Sequence, residues 1–196
     1  MAEKIINPDY ETDLRMAADC LRKGGVILYP TDTVWGIGCD ATNAEAVAKV
    51  YRLKKREESK AMLVLTDDAS QLELYSDSVP PIAVDMVEAS DRPVTLVLDG
   101  ARGLAPNLIS ADGSIGIRVT GERFSRDLCR RLGRPIVSTS ANISGRPSPA
   151  IFTEIEPEVR EQADYTVYYR RGDTDRCRPS IVMKMKGNGE FKILRD

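Results

Sequence analysis

The chain has 196 residues, 42% of them hydrophobic and 30% charged, with a formal net charge of −2. That is enough for one domain with its own core, and the weak negative charge leaves no global basic field for non-specific nucleic-acid binding. Histidine is absent, which excludes Ser-His and Cys-His nucleophile pairs and removes the commonest transition-metal ligand.

No apolar run reaches the ~18 residues of a membrane helix. The start, Met1-Ala2-Glu3-Lys4-Ile5-Ile6-Asn7-Pro8, lacks the charged opening and apolar core of a signal peptide. Cysteines at 20, 39, 129 and 177 form no Cys-x-x-Cys pair, so reduced thiols and a cytoplasmic location are expected.

An amphipathic helix is predicted from about Asp9 to Lys23, with Leu14, Ala17, Ala18 and Leu21 on one side and Gly24-Gly25 as its stop. An apolar strand, Val26 to Tyr29, follows and breaks at Pro30. Three polar residues, Thr31-Asp32-Thr33, then lead to Trp35 and the spaced pair Gly36-x-Gly38. Those glycines fit a close approach of main chain to a ligand or a positive φ; a plain polar turn fits equally well. Trp35 is expected in the core rather than stacked on a base.

Asn43 reads as the N-cap of a helix carrying Ala46, Val47, Val50 and Leu53, which ends in the cations Lys54-Lys55-Arg56. A strand at 62–65 is followed by helix in two pieces, divided around Pro80-Pro81. Further strands are predicted at 94–98 and 115–119, a helix from about Arg123 to Leu132 closed by Gly133, and a short strand at 136–138. The end reads as a helix near 152–161, a strand at 165–169 and a hairpin of 181–185 with 191–194 turning at Gly187-Asn188-Gly189. Strands and helices alternate throughout, so the fold class is α/β (α+β layered), one domain over residues 1–196.

Four polar stretches fall at strand ends: Thr31-Asp32-Thr33, Lys54-x-Arg56-x-x-x-Lys60, Ser114 with Arg118, and Ser138-Thr139-Ser140-Ala141-Asn142. The three cations suit a polyphosphate, and equally a solvated helix end that favours the helix dipole. The hydroxyls and amide of the last stretch fit a phosphate or ribose, or satisfy a turn. Arg118 is more telling, because an arginine in an apolar strand needs a carboxylate partner or a ligand.

Pro30-Thr31-Asp32-Thr33-Val34-Trp35-Gly36-Ile37-Gly38, Lys54-x-Arg56, Pro93-Val94-Thr95, Ile117-Arg118-Val119 and Ser138 to Gly145 occur in the order seen in the YrdC/Sua5 family. The chain resembles that family from about Leu14 to Val182, in its single-domain form. The resemblance implies a twisted mixed β-sheet flanked by helices, with an open concave site. It also implies an L-threonylcarbamoyladenylate synthase, a nucleotidyltransferase that uses L-threonine, bicarbonate or CO2, and ATP with Mg²⁺, and releases pyrophosphate. The product would feed N6-threonylcarbamoylation of adenosine 37 in tRNA through a separate threonylcarbamoyl transferase complex. Carried over by position, Thr33, Arg118, Ser138 and Ser180 would hold threonine. Lys54, Arg56 and Lys60 would face the ATP phosphates and act catalytically, and Ser114, Ser140, Asn142 and Ser148 would bind the nucleotide. No resident metal ligand is assigned.

The chain departs from the family pattern at Arg56-Glu57 (usually Arg-Pro), Lys60-Ala61-Met62 (usually Lys-Pro-Leu), Asp91-Arg92-Pro93 and Leu65, where many members carry His. Glu57 and Glu58 beside the cations would either weaken ATP binding or help hold Mg²⁺. Two alternatives stand beside the synthase: a weakly active paralogue, favoured by these departures, and an RNA-binding module using the cluster Arg170, Arg171, Arg176 and Arg178.

Overall fold

A computed structural model describes residues 7–57 and 61–196. Helix α1 (Tyr10–Arg22) begins where Asp9 accepts a hydrogen bond from the Thr12 amide at 2.8 Å. Helix α2 (Ala44–Lys54) is capped as expected by Asn43, which accepts from the Glu45 and Ala46 amides. The other α-helices among the described residues are α3 (Leu72–Tyr75), α4 (Ile82–Glu88), α5 (Arg123–Leu132) and α6 (Pro157–Glu161).

Among the described residues, nine strands form one mixed sheet. They are β1 (Ile27–Tyr29), β2 (Gly36–Gly38), β3 (Leu63–Thr66), β4 (Val94–Leu98), β5 (Ile115–Val119), β6 (Ile136–Ser140), β7 (Tyr165–Thr166), β8 (Ile181–Met185) and β9 (Phe191–Arg195). Their spatial order is β7-β1-β2-β6-β3-β5-β4-β8-β9. The pairs β1/β7, β3/β5 and β4/β8 run parallel and the other neighbours antiparallel.

Side chains alternate across a strand, and the two faces of this sheet differ in their cover. On the first face Leu28, Ile37, Val64, Leu96, Ile117 and Val137 pack into a continuous core with Val47 and Val50 of α2. On the second face Ile27, Tyr29, Leu65 and Ile136 meet Leu14, Ala18 and Leu21 of α1 and Phe124 and Leu128 of α5. These two helices cover only one half of that face. Beyond them, residues of the same parity turn polar or small: Ser138 and Ser140 on β6, Gly116 and Arg118 on β5, Thr95 on β4. The site is built on this uncovered half.

Three sequence expectations are corrected. Gly36-Ile37-Gly38 is a strand rather than a turn, and neither glycine has positive φ. A Cβ on Gly38 would lie 2.5 Å from the Val137 carbonyl and 2.7 Å from the Tyr29 ring. Glycine is needed there so that the buried Tyr29 ring can lie across the sheet, its hydroxyl donating to Val137 O at 3.1 Å. The predicted helix at 152–161 splits into a 3-10 turn (Phe152–Glu154) and α6, because Ile155 is extended and Glu156, before a proline, lies outside the helical region at ψ 142°. The strand expected at 165–169 stops at Thr166. Past it, the buried Asp13 carboxylate takes the Tyr168 and Tyr169 amides at 2.8 and 2.7 Å, so they leave the ladder.

No helix among the described residues is long and apolar enough to cross a membrane. All four cysteines are free thiols.

Candidate active site

The uncovered half-face forms the floor of a cleft of about 290 Å³. Register sets its floor: Arg118 of β5 lies opposite Thr95 of β4, Thr95 opposite Val182 of β8, and Val182 opposite Arg195 of β9. The turn after β1 supplies Thr31 and Thr33 as one wall, and the loop after β6 supplies Ser148. Arg56 and Ala61–Leu63 close another side, and Pro179 and Ser180 lead into β8.

Arg118 anchors this arrangement at 4% exposure. Its Nε donates to Thr95 Oγ1 at 3.0 Å and its Nη2 to Ser180 Oγ at 2.9 Å. Its Nη1 donates to Asp32 Oδ1 at 2.9 Å and to Thr33 Oγ1 at 3.2 Å. The Thr31 hydroxyl donates to Val34 O and accepts from the Thr33 amide, which stiffens the turn that presents Asp32. A second guanidinium comes from the far edge of the sheet. Arg195 donates to Ser180 O from Nε and Nη2, at 3.2 and 3.1 Å, and to Ser180 Oγ at 3.1 Å. Arg56 donates to Ala61 O at 3.0 Å on the cleft's side wall. Three arginines therefore face one cavity, an arrangement suited to anionic ligands.

Seven of the residues singled out from the sequence meet here: Thr33, Arg56, Arg118, Ser138, Ser140, Ser148 and Ser180. Lys60 and Glu58 lie outside the described residues. Ser114 sits two residues before Gly116, beyond the cleft lining, with its hydroxyl on Asp112 Oδ1 at 2.6 Å.

Lys54 and Asn142 are placed differently from the expectation. Lys54 is 1% exposed and lies beneath the cleft. Its Nζ donates to Ser140 O at 2.5 Å, Asn142 O at 2.7 Å and Asn142 Oδ1 at 3.2 Å. Burial and the Arg56 charge pull this amine down to about 7, while three oxygens around it can receive all three ammonium protons. The Asn142 side chain accepts from Ser140 Oγ and donates to Arg146 O, both at 2.5 Å. Lysine and asparagine together staple the 140–146 loop, with Ser144 N donating to Lys54 O at 2.8 Å. Of the two readings open for the Ser138–Asn142 stretch, Asn142 follows the turn-satisfying one.

Sequence reasoning missed Asp32, Thr31 and Arg195 as site residues. The first two lie within a motif already singled out, and an arginine near a strand end was signal enough for a closer look. Trp35 is buried as expected, its ring centroid 5.1 Å from that of Phe152. The arginine cluster at 170–178 is largely spent locally. Arg170 pairs with Asp173, Arg171 donates to Thr166 O and Val167 O, and Arg176 pairs with Glu154.

Fold and cleft together define an α/β protein with an arginine-lined cleft, suited to small anionic ligands, on the open half of a twisted mixed sheet. The Sua5/YciO/YrdC family model, described as "Telomere recombination", matches residues 19–196. The chain belongs to this family. It is 36% identical over 180 residues to the threonylcarbamoyl-AMP synthase of Idiomarina loihiensis, covering 90% of this chain and 95% of that protein. The protein of the same name from Pseudoalteromonas translucida is 33% identical over 160 residues, covering 80% and 86%.

Among solved structures, E. coli YciO superposes with a TM-score of 0.81 at 25% identity, covering 97% of this chain and 91% of that one. P. abyssi Sua5 complexed with L-threonine gives a TM-score of 0.84 at 24% identity, a likeness of fold. This chain spans 55% of the length of that Sua5 chain.

Proposed function

We propose that the chain is an L-threonylcarbamoyl-AMP synthase, a nucleotidyltransferase that joins L-threonine, bicarbonate or CO2, and ATP. The observation that carries the reading is the cleft faced by Arg56, Arg118 and Arg195, in a chain aligned over most of its length with threonylcarbamoyl-AMP synthases.

Arg118 takes the threonine carboxylate, with Thr33, Ser138 and Ser180 completing the pocket. The α-ammonium first gives a proton to solvent; the resulting amine adds to bicarbonate with loss of water, or to CO2 with loss of a second proton, and becomes a carbamate anion. A carbamate oxygen then attacks the α-phosphorus of ATP. One O–P bond forms, the bond from the α-phosphorus to the α,β-bridging oxygen breaks, and pyrophosphate leaves with that oxygen and the electron pair. Nucleophile and leaving group are both anionic oxygens, so the chemistry needs in-line placement and cationic stabilisation rather than a histidine base. Arg56 and Arg195 supply the cations, with Lys60 assigned to the phosphates by the family pattern. Ser140 and Ser148 contact the nucleotide, and Ser114 is assigned to it by the family pattern alone. Lys54 and Asn142 act as positioning residues that hold the loop carrying Ser140.

Among the described residues the donor set forms no metal cage. Asp32, the carboxylate next to the lining residues Thr31 and Thr33, is tied to Arg118, and no cluster of three potential metal-ligating side chains occurs among the described residues. Mg²⁺ enters with ATP as part of that substrate and neutralises phosphate charge. The mixed anhydride is an activated acyl donor, consumed in the cytoplasm by a threonylcarbamoyl transferase complex acting on tRNA adenosine 37.

Pyrophosphate release tests the reading. With MgATP it should require both L-threonine and bicarbonate, and L-serine should replace threonine poorly. Release that is indifferent to either co-substrate would overturn it.

A further inference from the structure

The ion pair at the cleft floor limits which carboxylates the site can accept. Arg118 and Asp32 have side-chain exposures of 4% and 11%. Asp32 makes the one ion pair of Arg118 among the described residues, the other partners being the neutral hydroxyls of Thr33, Thr95 and Ser180. Asp32 Oδ1 accepts from Arg118, whereas Oδ2 takes no hydrogen bond from the described residues and is not sealed from solvent.

A nearly buried pair loses hydration on both ions, and removing one partner strands the other charge. A simple carboxylate that enters and takes Arg118 therefore displaces Asp32 and leaves it uncompensated. A ligand with an ammonium beside its carboxylate replaces both halves at once. We propose that Asp32 and Arg118 form a zwitterion-reading pair, in which Asp32 takes the substrate α-ammonium while Arg118 takes the carboxylate. The pair thereby restricts the pocket to compounds with a free α-amino group. This rests on the reading of the cleft as an amino-acid site, to which it adds a role for Asp32. Before binding, the two side chains satisfy one another; on binding, each exchanges its partner for the opposite end of the same small molecule.

The test is calorimetric titration of the wild-type chain and Asp32→Asn with L-threonine and with 3-hydroxybutyrate, which lacks the ammonium. Wild type should prefer threonine. Asp32→Asn should weaken threonine by about 10- to 100-fold, the range for losing a hydrogen bond between charged groups. It should also tighten 3-hydroxybutyrate, because Arg118 no longer has a competing counter-ion. Asp32→Glu, which keeps the charge, should retain the threonine preference. Equal losses for both ligands in Asp32→Asn would mean that Asp32 only orients Arg118, and would overturn the proposal. So would wild type binding the two ligands equally, a measurement that needs no variant. Failure of wild type to bind threonine at all would instead refute the amino-acid reading beneath it.

Discussion

Replacing Lys54 by methionine separates two roles for this lysine, loop anchor and phosphate ligand. Methionine keeps the aliphatic length and fills the same space, but it removes the ammonium. The Ser140 and Asn142 carbonyls then lose a charged donor at 2.5 and 2.7 Å. A buried acceptor left unmet costs about 1–3 kcal/mol, so two give about 2–6 kcal/mol. Relief of the amine's own desolvation, the force that pulls it down to about 7, offsets part of this. A net loss of about 2–4 kcal/mol corresponds to a fall in Tm of roughly 5–12 °C for a chain of this size. Since the loop carries Ser140 and Ser148 into the cleft, the KM for ATP should rise several-fold while that for threonine changes less. Thermal melts and steady-state pyrophosphate release measure both. A Tm within a degree of wild type, together with a collapse in kcat, would refute the anchoring argument and make Lys54 a phosphate ligand.

Three further outcomes are expected. Arg118→Ala should raise the KM for threonine far more than that for ATP; equal rises in steady-state kinetics would mean the carboxylate site lies elsewhere. Arg56→Ala should chiefly impair the ATP-dependent step, read as a loss of ATP affinity by titration with threonine affinity preserved. Gly38→Ala forces a methyl against Val137 O and the Tyr29 ring, and overpacking of this kind destabilises by about 1–3 kcal/mol. Its denaturant midpoint should fall with an unchanged slope, whereas an unchanged midpoint would remove the steric reason for glycine in β2.

Elements whose cause is local were legible in the sequence. Strands β4, β5 and β8 and helix α5 match their predicted limits, because alternation or an end signal such as Gly133, at φ +69°, decides them within a few residues. Strand β2 was not legible: its two glycines make sense only once the Tyr29 ring lies over them, a contact set by tertiary packing. The end of β7 is likewise decided by Asp13, more than 150 residues away in sequence.

The site divides along the same line. Arg118 could be picked out because a guanidinium inside an apolar strand demands a partner. Its counter-ion Asp32 sat in plain view, but the pairing depends on how β1 and β5 are arranged in the sheet. Arg195 reaches the cleft only because β9 pairs with β8, which itself lies beside β4. Lys54 looks like a surface cation in a run of cations, and only the fold turns it inward.

The most direct measurement of the central claim is incubation with MgATP, L-threonine and ¹³C-bicarbonate, followed by mass spectrometry of nucleotide products. The account predicts an AMP adduct of threonine carrying one ¹³C in a new carbonyl group, formed with pyrophosphate in equal amount. ATP turnover that yields only unlabelled AMP species, or no turnover in the folded chain, would contradict it.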